Sequence, residues 1–300
     1  MKGRGNEPVS LASGGAAFAG REFPFSQSDF RRIATLFQAD AGIVLPEVKA
    51  PLVYSRLVKR LRNLGLESFA QYCAFVEGAE GAGERPHMIA ALTTNVTRFL
   101  REPHHFEHLQ KRLLPELLDG VRGGARLRIW SAGCSSGEEP YSIALSILAV
   151  LPDAVRLDVK ILATDINKDV LSFGAQGVYP ESAVAPLTRQ QRSDWFEPVR
   201  VPGGEKVWRV GEDLRALVAF RELNLMDVWP MKQAYQAIFC RNVAIYFEDD
   251  AQARIWNRFA SLLAQNGCLY IGHSERVNGA VEKFRLEAMT TYRLKWRPQP

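Results

Sequence analysis

The sequence contains few cysteines and no hydrophobic run long enough to cross a bilayer. Its four cysteines, Cys73, Cys134, Cys240 and Cys268, show no C-x-x-C spacing, which favours buried, reduced thiols in a cytoplasmic protein. The longest apolar run, at 143–151, is far shorter than the roughly 20 residues of a transmembrane helix. Residues 1–20 are rich in glycine and lack a continuous apolar core, so we expect a flexible tail and no signal peptide.

Neither sign of charge dominates the composition. Lys and Arg number 38 against 33 Asp and Glu, which gives a formal net charge of +5. This mild excess leaves a nucleic acid, an anionic membrane surface and an acidic protein open as partners. The length of 300 residues predicts two domains, or one large α/β domain with an appendage. The hydrophobic content of 47% and the charged content of 24% exclude a fully disordered chain and a coiled-coil rod.

The N-terminal part of the chain has helical patterns without a convincing strand. We predict a helical domain over residues 21–80, including a helix from about Pro51 to Leu64 that ends before Gly65. Residues 81–93 begin in a stretch rich in glycine, alanine and charged residues, which predicts a linker.

From residue 94 to residue 300, strand-like segments alternate with helical ones. RLRIWS, VKILATD and QAIFCRN are each followed by a helical pattern. Such alternation predicts a mostly parallel sheet with helices on both faces. The stretch at about 180–222 interrupts the alternation. VRVPGGEKVWRV within it predicts a hairpin, so we expect a small antiparallel β insertion there.

The loop after the first strand, at 130–140, is a candidate ligand site, because ligands bind outside the carboxyl ends of parallel strands. Its small residues let a ligand approach the backbone, although Gly133-x-Ser135-x-Gly137 matches neither the dinucleotide nor the phosphate-binding pattern. Asp165 ends the second strand, where an acid binds ribose hydroxyls in Rossmann-type sites. A tight turn with a dipole-compensating helix start remains an alternative for the loop, as does an N-cap role for Asp165.

Four segments of the chain together resemble the CheR family of chemotaxis receptor methyltransferases. They are AGCSSGEEPYS followed by ATDIN, TNVTRFLRE, FCRNVAIYF and GHSE, and the resemblance spans about residues 25–296. It implies an α/β fold, with a Rossmann-like class I methyltransferase sheet and a small antiparallel β insertion within residues 94–300. An all-α N-terminal domain that docks on the receptor would precede this sheet, at 21–80.

The resemblance also implies S-adenosylmethionine as the methyl donor, S-adenosylhomocysteine as the product and no metal. The cofactor-binding positions that it implies are Asn95, Thr97, Arg101, Glu138, Asp165, Asn224, Leu225, Arg241 and Asn242. In this interpretation Asp165 holds the ribose, and Asn224 and Leu225 meet the adenine. Arg101 grips the methionyl carboxylate in a bidentate way, and Glu138 meets the methionyl ammonium.

Simpler roles remain open for several of these residues. Helix capping is the alternative for Asn95 and Thr97, and a surface ion pair is the alternative for Arg101. Arg101 and Tyr246 are the catalytic candidates, since they would orient the acceptor carboxylate. A core tyrosine is the alternative for Tyr246.

The implied reaction is methyl transfer to glutamate side chains of chemoreceptors, which forms methyl esters. A glutamate is ionised at pH 7 because its reference pKa is about 4.3. We therefore expect no dedicated general base, only alignment and the exclusion of water. The implied partners are the cytoplasmic methylation helices of chemoreceptors and, in some family members, a C-terminal tether peptide held by the β insertion. We expect a cytoplasmic monomer that neither binds nucleic acid nor enters a membrane.

The histidines are not expected to carry chemistry. His104, His105 and His108 lack the glutamate of an H-E-x-x-H motif, so they predict a solvated helix face and not a metal site. His273 lies at a predicted strand end, where we expect a structural histidine and not a general base.

Basic residues fill one face of the helix at 51–64. Arg56, Lys59, Arg60 and Arg62 lie there without an acid among them, opposite an apolar face. Solvated helix faces commonly pair both signs of charge, so we interpret this one as the face that docks on an acidic receptor. Residues 48–66 hold five basic residues and no acid, and the rest of the chain has 33 residues of each sign.

Two other functions stay open on the sequence. The pI of about 9.1 suggests a nucleic-acid methyltransferase. However, residues 241–243 read Arg-Asn-Val where exocyclic-amine methyltransferases have Asn-Pro-Pro. The other alternative is a non-catalytic signalling module that binds S-adenosylmethionine.

Overall fold

The computed structural model describes residues 22–201, 204 and 206–295. Within this part of the chain there are two compact units, one comprising residues 22–40 and 44–92 and the other comprising residues 41–43 and 93–295. The flexible tail predicted for residues 1–20 lies outside the described residues.

The first unit is built from helices. They are α1 (Gln27–Ala41), α2 (Ala50–Leu64), α3 (Phe69–Glu77) and α4 (Arg85–Leu92), with 3-10 turns at Glu47–Lys49 and Ala79–Gly83. Helix α2 has Pro51 in its first turn and ends at Gly65, whose left-handed φ of 66° closes the C-terminus. The hydroxyl of Ser68 accepts a hydrogen bond from the Gln71 backbone N–H and so starts α3.

The segment at 81–93, which the sequence predicts to be a linker, belongs almost entirely to the first unit. Helix α4 buries Met88 and Ile89 and contacts α2. Gly81 is also buried, and a Cβ atom at this position would lie 2.0 Å from the Phe75 carbonyl oxygen. The linker prediction is therefore wrong, because the small residues of this segment allow close packing.

The basic face of α2 has acidic partners within its own unit. Arg60 donates to both carboxylate oxygens of Glu84, at 2.7 and 2.5 Å, and Glu84 is only 5% exposed. Arg62 pairs with Glu22 at 2.5 Å, and Arg56 donates to the Leu92 carbonyl at 2.7 Å. Helix α2 itself carries no acid, and the acidic partners of its basic face come from segments outside the helix.

The second unit contains ten strands among the described residues. They are β1 (Leu127–Ala132), β2 (Val159–Asp165), β3 (Val178–Pro180), β4 (Phe196–Arg200), β5 (Lys206–Val210), β6 (Val218–Glu222), β7 (Tyr235–Cys240), β8 (Leu263–Ile271), β9 (Phe284–Ala288) and β10 (Thr291–Leu294). Seven of them form one sheet in the order β6-β2-β1-β7-β8-β10-β9. The five strands from β6 to β8 are parallel to their neighbours, and β10 and β9 continue the sheet in antiparallel pairing.

Helices cover both faces of the large sheet. The second unit contains α5 (Pro103–His108), α6 (Leu114–Arg122), α7 (Glu138–Val150), α8 (Lys168–Gln176), α9 (Glu181–Val184), α10 (Arg189–Trp195), α11 (Glu212–Leu217) and α12 (Asp249–Leu262), with a π-helical turn at Leu109–Leu113. Ile129 of β1 packs in one core with Ile147 of α7, whereas the adjacent Trp130 packs in the other core with Phe259 of α12. Alternate side chains of a strand thus pack into two cores, one on each face of the sheet. This arrangement confirms the predicted α/β sheet. Among the described residues, no helix combines the length and the apolar character that crossing a bilayer requires.

The predicted antiparallel insertion is present as a small sheet in the order β3-β5-β4. Its strands β4 and β5 pair from Phe196 with Val210 to Arg200 with Lys206, and the predicted turn residues 202 and 203 lie outside the described residues. The predicted end of the insertion at 222 is too late. Strand β6 pairs with β2 and is the edge of the large sheet.

Replacing Arg60 with alanine is expected to lower the free energy of unfolding by about 2–3 kcal/mol, because the buried Glu84 carboxylate loses its cation. Lys59→Ala, at the exposed neighbouring position, should cost less than about 0.5 kcal/mol. Urea denaturation of the full chain, followed by circular dichroism, measures both values. Equal midpoints for the two variants would show that Arg60 has no structural role.

Candidate functional site

The predicted site residues meet where the parallel strands of the large sheet end. Asp165 is the last residue of β2, and Arg241 and Asn242 follow β7 directly. Asn224 follows β6 after one intervening residue, and Glu138 begins α7 after the loop that leaves β1. Because β6, β2, β1 and β7 are neighbours in the sheet, their carboxyl ends bring these residues to one edge.

The loop between β1 and α7 is tight and depends on two glycines. Gly133 has a φ of +77°, and a Cβ atom there would lie 2.4 Å from the Cγ2 atom of Val243. Gly137 has a φ of +97°, and a Cβ atom there would lie 2.8 Å from the Tyr179 hydroxyl. The backbone of this loop therefore packs directly against its neighbours, as a close-approach site requires.

The Asp165 carboxylate holds the loop that follows β1. One of its oxygens accepts a hydrogen bond from the Ser135 N–H at 2.9 Å, and the other accepts from the Asn167 N–H at 3.0 Å. Burial raises the pKa of Asp165, and these backbone hydrogen bonds oppose the rise. Asn167 and not Asp165 caps α8, since its side chain accepts from the Asp169 N–H, so the N-cap alternative for Asp165 is wrong. A carboxylate can accept about four hydrogen bonds, so that of Asp165 keeps acceptor capacity for a ligand hydroxyl.

The segment before α5 is hydrogen-bonded to both loops of the site. The Asn95 carbonyl accepts from the Ser135 hydroxyl at 2.9 Å. The Thr93 hydroxyl oxygen accepts from the Asn95 and Asn167 side-chain amides, both at 3.3 Å. Residues 94–98 lie outside any helix, so helix capping does not explain Asn95 or Thr97.

Arg241 lies buried between two carboxylates. Its Nη2 atom is 3.6 Å from Glu102 and its Nη1 atom is 3.4 Å from Glu139, while its side chain is only 2% exposed. Glu139 also accepts from the Ser131 hydroxyl at 2.7 Å, and Glu102 lies 3.1 Å from the His273 ring. The sequence did not indicate a role for Glu102 or Glu139. Both lie in the motifs of the resemblance, Glu102 as the last residue of TNVTRFLRE and Glu139 as the second glutamate of AGCSSGEEPYS.

The carboxylates of the site differ in their proton affinity. Burial raises the pKa of Glu139, and the Arg241 guanidinium opposes that rise. Burial also raises the pKa of Glu138, against the hydrogen bond from the Ser136 hydroxyl. Burial acts to raise the pKa of Glu102 too, but Arg241 and His273 together bring it below its ordinary value. A cationic ligand group next to Glu138 would therefore favour its charged form.

Two consecutive residues, Arg241 and Asn242, each have a buried side-chain atom without a protein partner among the described residues. The Nε atom of Arg241 donates to no protein acceptor, and the Oδ1 atom of Asn242 accepts from no protein donor, among the residues that the structure describes. A buried polar group without a partner is costly unless a ligand or water completes its hydrogen bonds. A donor and an acceptor at the end of β7, beside the Asp165 loop, thus fit a ligand with polar groups of both kinds.

The remaining predicted residues have mixed environments. The Arg101 guanidinium donates to the Val96 carbonyl at 2.9 Å. The Asn224 side chain accepts from the Met226 N–H at 3.0 Å, and the Leu225 side chain is 6% exposed and packs in the core beneath the site. Tyr246 ends a 3-10 turn and is partly exposed, so it is not a core residue.

The expectation of a solvated histidine face is wrong. His105 is fully buried with its Nε2 atom 2.9 Å from the Thr290 hydroxyl, and His108 lies 3.0 Å from the Tyr270 hydroxyl. Burial lowers the pKa of His105 far below its ordinary range, so the ring is neutral. His104, His105 and Glu102 offer ligand atoms within 4.8 Å of one another, but Glu102 already has the Arg241 cation beside it. His273 has a side chain that is 66% exposed and an Nδ1 atom 3.1 Å from Glu102, so its structural role stays a prediction.

A separate cleft runs along the edge strand β6. Tyr141, Arg209, Arg215 and Phe220 are among the residues that line it. The nine predicted cofactor-binding positions do not line this cleft, so the strand ends are the candidate site.

Comparison with known proteins agrees with the geometry. The all-alpha domain of CheR methyltransferases matches residues 28–93, and their SAM binding domain matches residues 95–293. A probable chemotaxis protein methyltransferase of Rhizobium etli is 51% identical over 259 residues, which cover 86% of this chain and 96% of the relative. Chemotaxis protein methyltransferase 2 of Pseudomonas aeruginosa is 40% identical over 95% of this chain and 99% of its own. The chemotaxis protein methyltransferase of Escherichia coli K12 is 40% identical over 90% of this chain and 91% of its own.

These matches cover both units and confirm the resemblance on which the sequence analysis rests. The helical first unit corresponds to the all-alpha domain, and the unit with the large sheet corresponds to the S-adenosylmethionine-binding domain. The chain belongs to the CheR methyltransferase family.

Proposed function

We propose that this protein transfers a methyl group from S-adenosylmethionine to glutamate side chains of chemotaxis receptors, in the cytoplasm, and so forms methyl esters. One observation carries the proposal. The ends of β2 and β7 place a buried carboxylate, Asp165, on the same sheet edge as Arg241 and Asn242. Each of these two residues has a buried polar atom without a partner among residues 22–201, 204 and 206–295. Relatives that match nearly the whole chain are chemotaxis methyltransferases.

The donor set of the site suits S-adenosylmethionine. Asp165 would accept from the ribose hydroxyls, and Glu138 would meet the methionyl ammonium. Arg101 and Arg241 are the cations near the strand ends that would bind the methionyl carboxylate. Asn95, Thr97 and Asn242 would add polar contacts, and Asn224 and Leu225 would meet the adenine. When bound, S-adenosylmethionine supplies an electrophilic methyl group on its sulfonium.

The acceptor carboxylate needs orientation more than activation. A glutamate is already ionised at pH 7, with a reference pKa of about 4.3. The residues of the site then have to align one carboxylate oxygen and exclude water. We assign that orienting role to Arg101, in the segment before α5, and to Tyr246, in the 3-10 turn after β7, both of which are partly exposed.

The proposed partners are the methylation helices of receptors and, for the small sheet, a receptor C-terminal tether peptide. Helix α2 would dock on the acidic receptor through Arg56, Lys59, Arg60 and Arg62. Of these, Lys59 and Arg62 are exposed, whereas Arg60 is engaged with Glu84. Because Arg62 is paired with Glu22, Lys59 is the better position at which to test docking.

A methyl-transfer assay tests the proposed function. Labelled S-adenosylmethionine is incubated with the protein and a panel of receptor cytoplasmic fragments, with and without their C-terminal tails. We expect base-labile methyl ester on at least one receptor. If the protein binds S-adenosylmethionine but labels no receptor, the proposal fails and a non-catalytic module is favoured. DNA and RNA are tested as substrates in parallel, and label on either would indicate a nucleic-acid methyltransferase.

Asp165→Asn is expected to weaken binding of S-adenosylhomocysteine by about 30- to 100-fold, which corresponds to about 2–3 kcal/mol of lost hydrogen bonds to a charged acceptor. Isothermal titration calorimetry measures the Kd, and the stoichiometry gives the folded fraction. Asp169→Asn, an exposed position in the first turn of α8, is the matched control and should change the Kd less than about twofold. An unchanged Kd for Asp165→Asn would remove its assignment to the ribose.

Lys59→Glu should raise the KM for receptor by about three- to tenfold, because it turns an attractive contact with an acidic helix into a repulsive one. Lys232→Glu makes the same change at an exposed lysine of the second unit and should leave that KM unaltered. The difference between the two variants should shrink at high salt. Equal KM values at low salt would exclude α2 as the docking face.

A further inference from the structure

Glu275, in the turn after β8, accepts hydrogen bonds from two neighbouring strand-end turns. Its Oε2 atom accepts from the backbone N–H groups of Asn242, at 2.9 Å, and Gly272. Its Oε1 atom accepts from the N–H groups of Val243, at 2.9 Å, and Ala244, at 2.8 Å. Glu275 is only 3% exposed, so this carboxylate and not water satisfies these donors.

The turn after β7 needs such an acceptor because of its backbone conformation. Asn242 has a left-handed φ of +59°, and a 3-10 turn follows at Ala244–Tyr246. Consecutive N–H groups in a turn of this kind converge and form a concave site for an anion. The Glu275 carboxylate supplies the anion from within the chain.

Gly272 shows how closely the two turns approach each other. A Cβ atom at this position would lie 2.6 Å from the Asn242 side-chain nitrogen and 2.8 Å from the Glu275 Oε2 atom. The space around the carboxylate therefore leaves no room for a side chain at residue 272. The ends of β7 and β8, which pair in the sheet, are held together at this point.

The turn held by Glu275 carries residues of the proposed site. Asn242 presents a buried Oδ1 atom that has no partner within the described part of the chain, and Tyr246 ends the same turn. Both oxygens of Glu275 are taken up by backbone donors, which makes it unsuited to act as a base or to touch a ligand. Its influence on the site has to pass through the position of the turn.

We propose that Glu275 is a positioning residue for cofactor binding, which acts by fixing the turn that carries Asn242. The inference rests on the proposed contact between Asn242 and S-adenosylmethionine. The alternative is a purely structural role, in which Glu275 stabilises the fold without affecting the affinity of the correctly folded protein.

Glu275→Gln tests the proposal with little change in size. The amide replaces one acceptor oxygen by an NH2 group, which would face backbone N–H donors and displace the turn. We expect the Kd for S-adenosylhomocysteine, measured by calorimetry on the full chain, to rise by about tenfold or more. The binding stoichiometry should stay near that of the wild type. Glu282→Gln, at an exposed position seven residues later, is the control and should leave the Kd unchanged.

A double-mutant cycle identifies the residue through which Glu275 acts. In an Asn242→Ala background, Glu275→Gln should raise the Kd by less than about threefold, because the contact that it positions is already lost. Gly272→Ala crowds the same turn while keeping the carboxylate and should also raise the Kd. This second variant decides the question if Glu275→Gln does not fold.

The proposal would be overturned if Glu275→Gln lowered the binding stoichiometry or the melting temperature while its Kd stayed within twofold of the wild type. An effect of the same size in the Asn242→Ala background would overturn it as well. Both results are obtained without a receptor, so they differ from a failure of the proposed function, in which the wild type binds S-adenosylhomocysteine normally but methylates no receptor.

Discussion

The backbone N–H groups at the carboxyl ends of the parallel strands need hydrogen-bond acceptors. The arrangement of the site depends on which side chains supply those acceptors. The loops that follow neighbouring parallel strands begin at the same edge of the sheet. Their tight turns leave backbone N–H groups without the partners that a helix or a sheet would provide. Two buried carboxylates meet this need. Asp165 ties the loop after β1 to the end of β2, and Glu275 ties the turn after β7 to the end of β8. Buried donors that are satisfied in this way rigidify the edge and leave its remaining polar atoms for a ligand.

The same edge carries a charge arrangement that suits an ionic ligand. Arg241 is buried between Glu102 and Glu139, so its cation is balanced by carboxylates and still has a buried Nε atom free of protein acceptors within the described residues. A guanidinium fixed on two sides loses little freedom when it binds a further group. S-adenosylmethionine has both a carboxylate and an ammonium, and a site that offers Arg241 and Glu138 matches both. The proposed reaction therefore requires the protein to align the methyl donor with the acceptor carboxylate, and it does not require a strong base.

Much of this fold follows from local sequence patterns. Alternating strand and helix segments specify the parallel sheet, and the acid that ends the second strand makes Asp165 a candidate ligand contact. The missing parts depend on residues far apart in the chain. Glu84 could not be assigned to Arg60 from a helical pattern, nor Glu102 and Glu139 to Arg241, because periodicity carries no information about partners that lie outside the same helix or strand. The burial of His105 and the packing of α4 also depend on tertiary neighbours. Polar and small residues are predicted to be exposed when those neighbours are unknown.

In the proposed site, the strand ends of β2, β1 and β7 form the cofactor pocket, and buried carboxylates hold it in shape. A crystal structure of the full chain with S-adenosylhomocysteine tests this arrangement most directly. We expect the ribose hydroxyls of the ligand on the Asp165 carboxylate and its amino-acid end beside Arg241 and Asn242. Glu275 should still accept hydrogen bonds from the backbone after β7. A ligand bound in the cleft along β6, lined by Arg209 and Arg215, with the strand ends unoccupied, would contradict this arrangement.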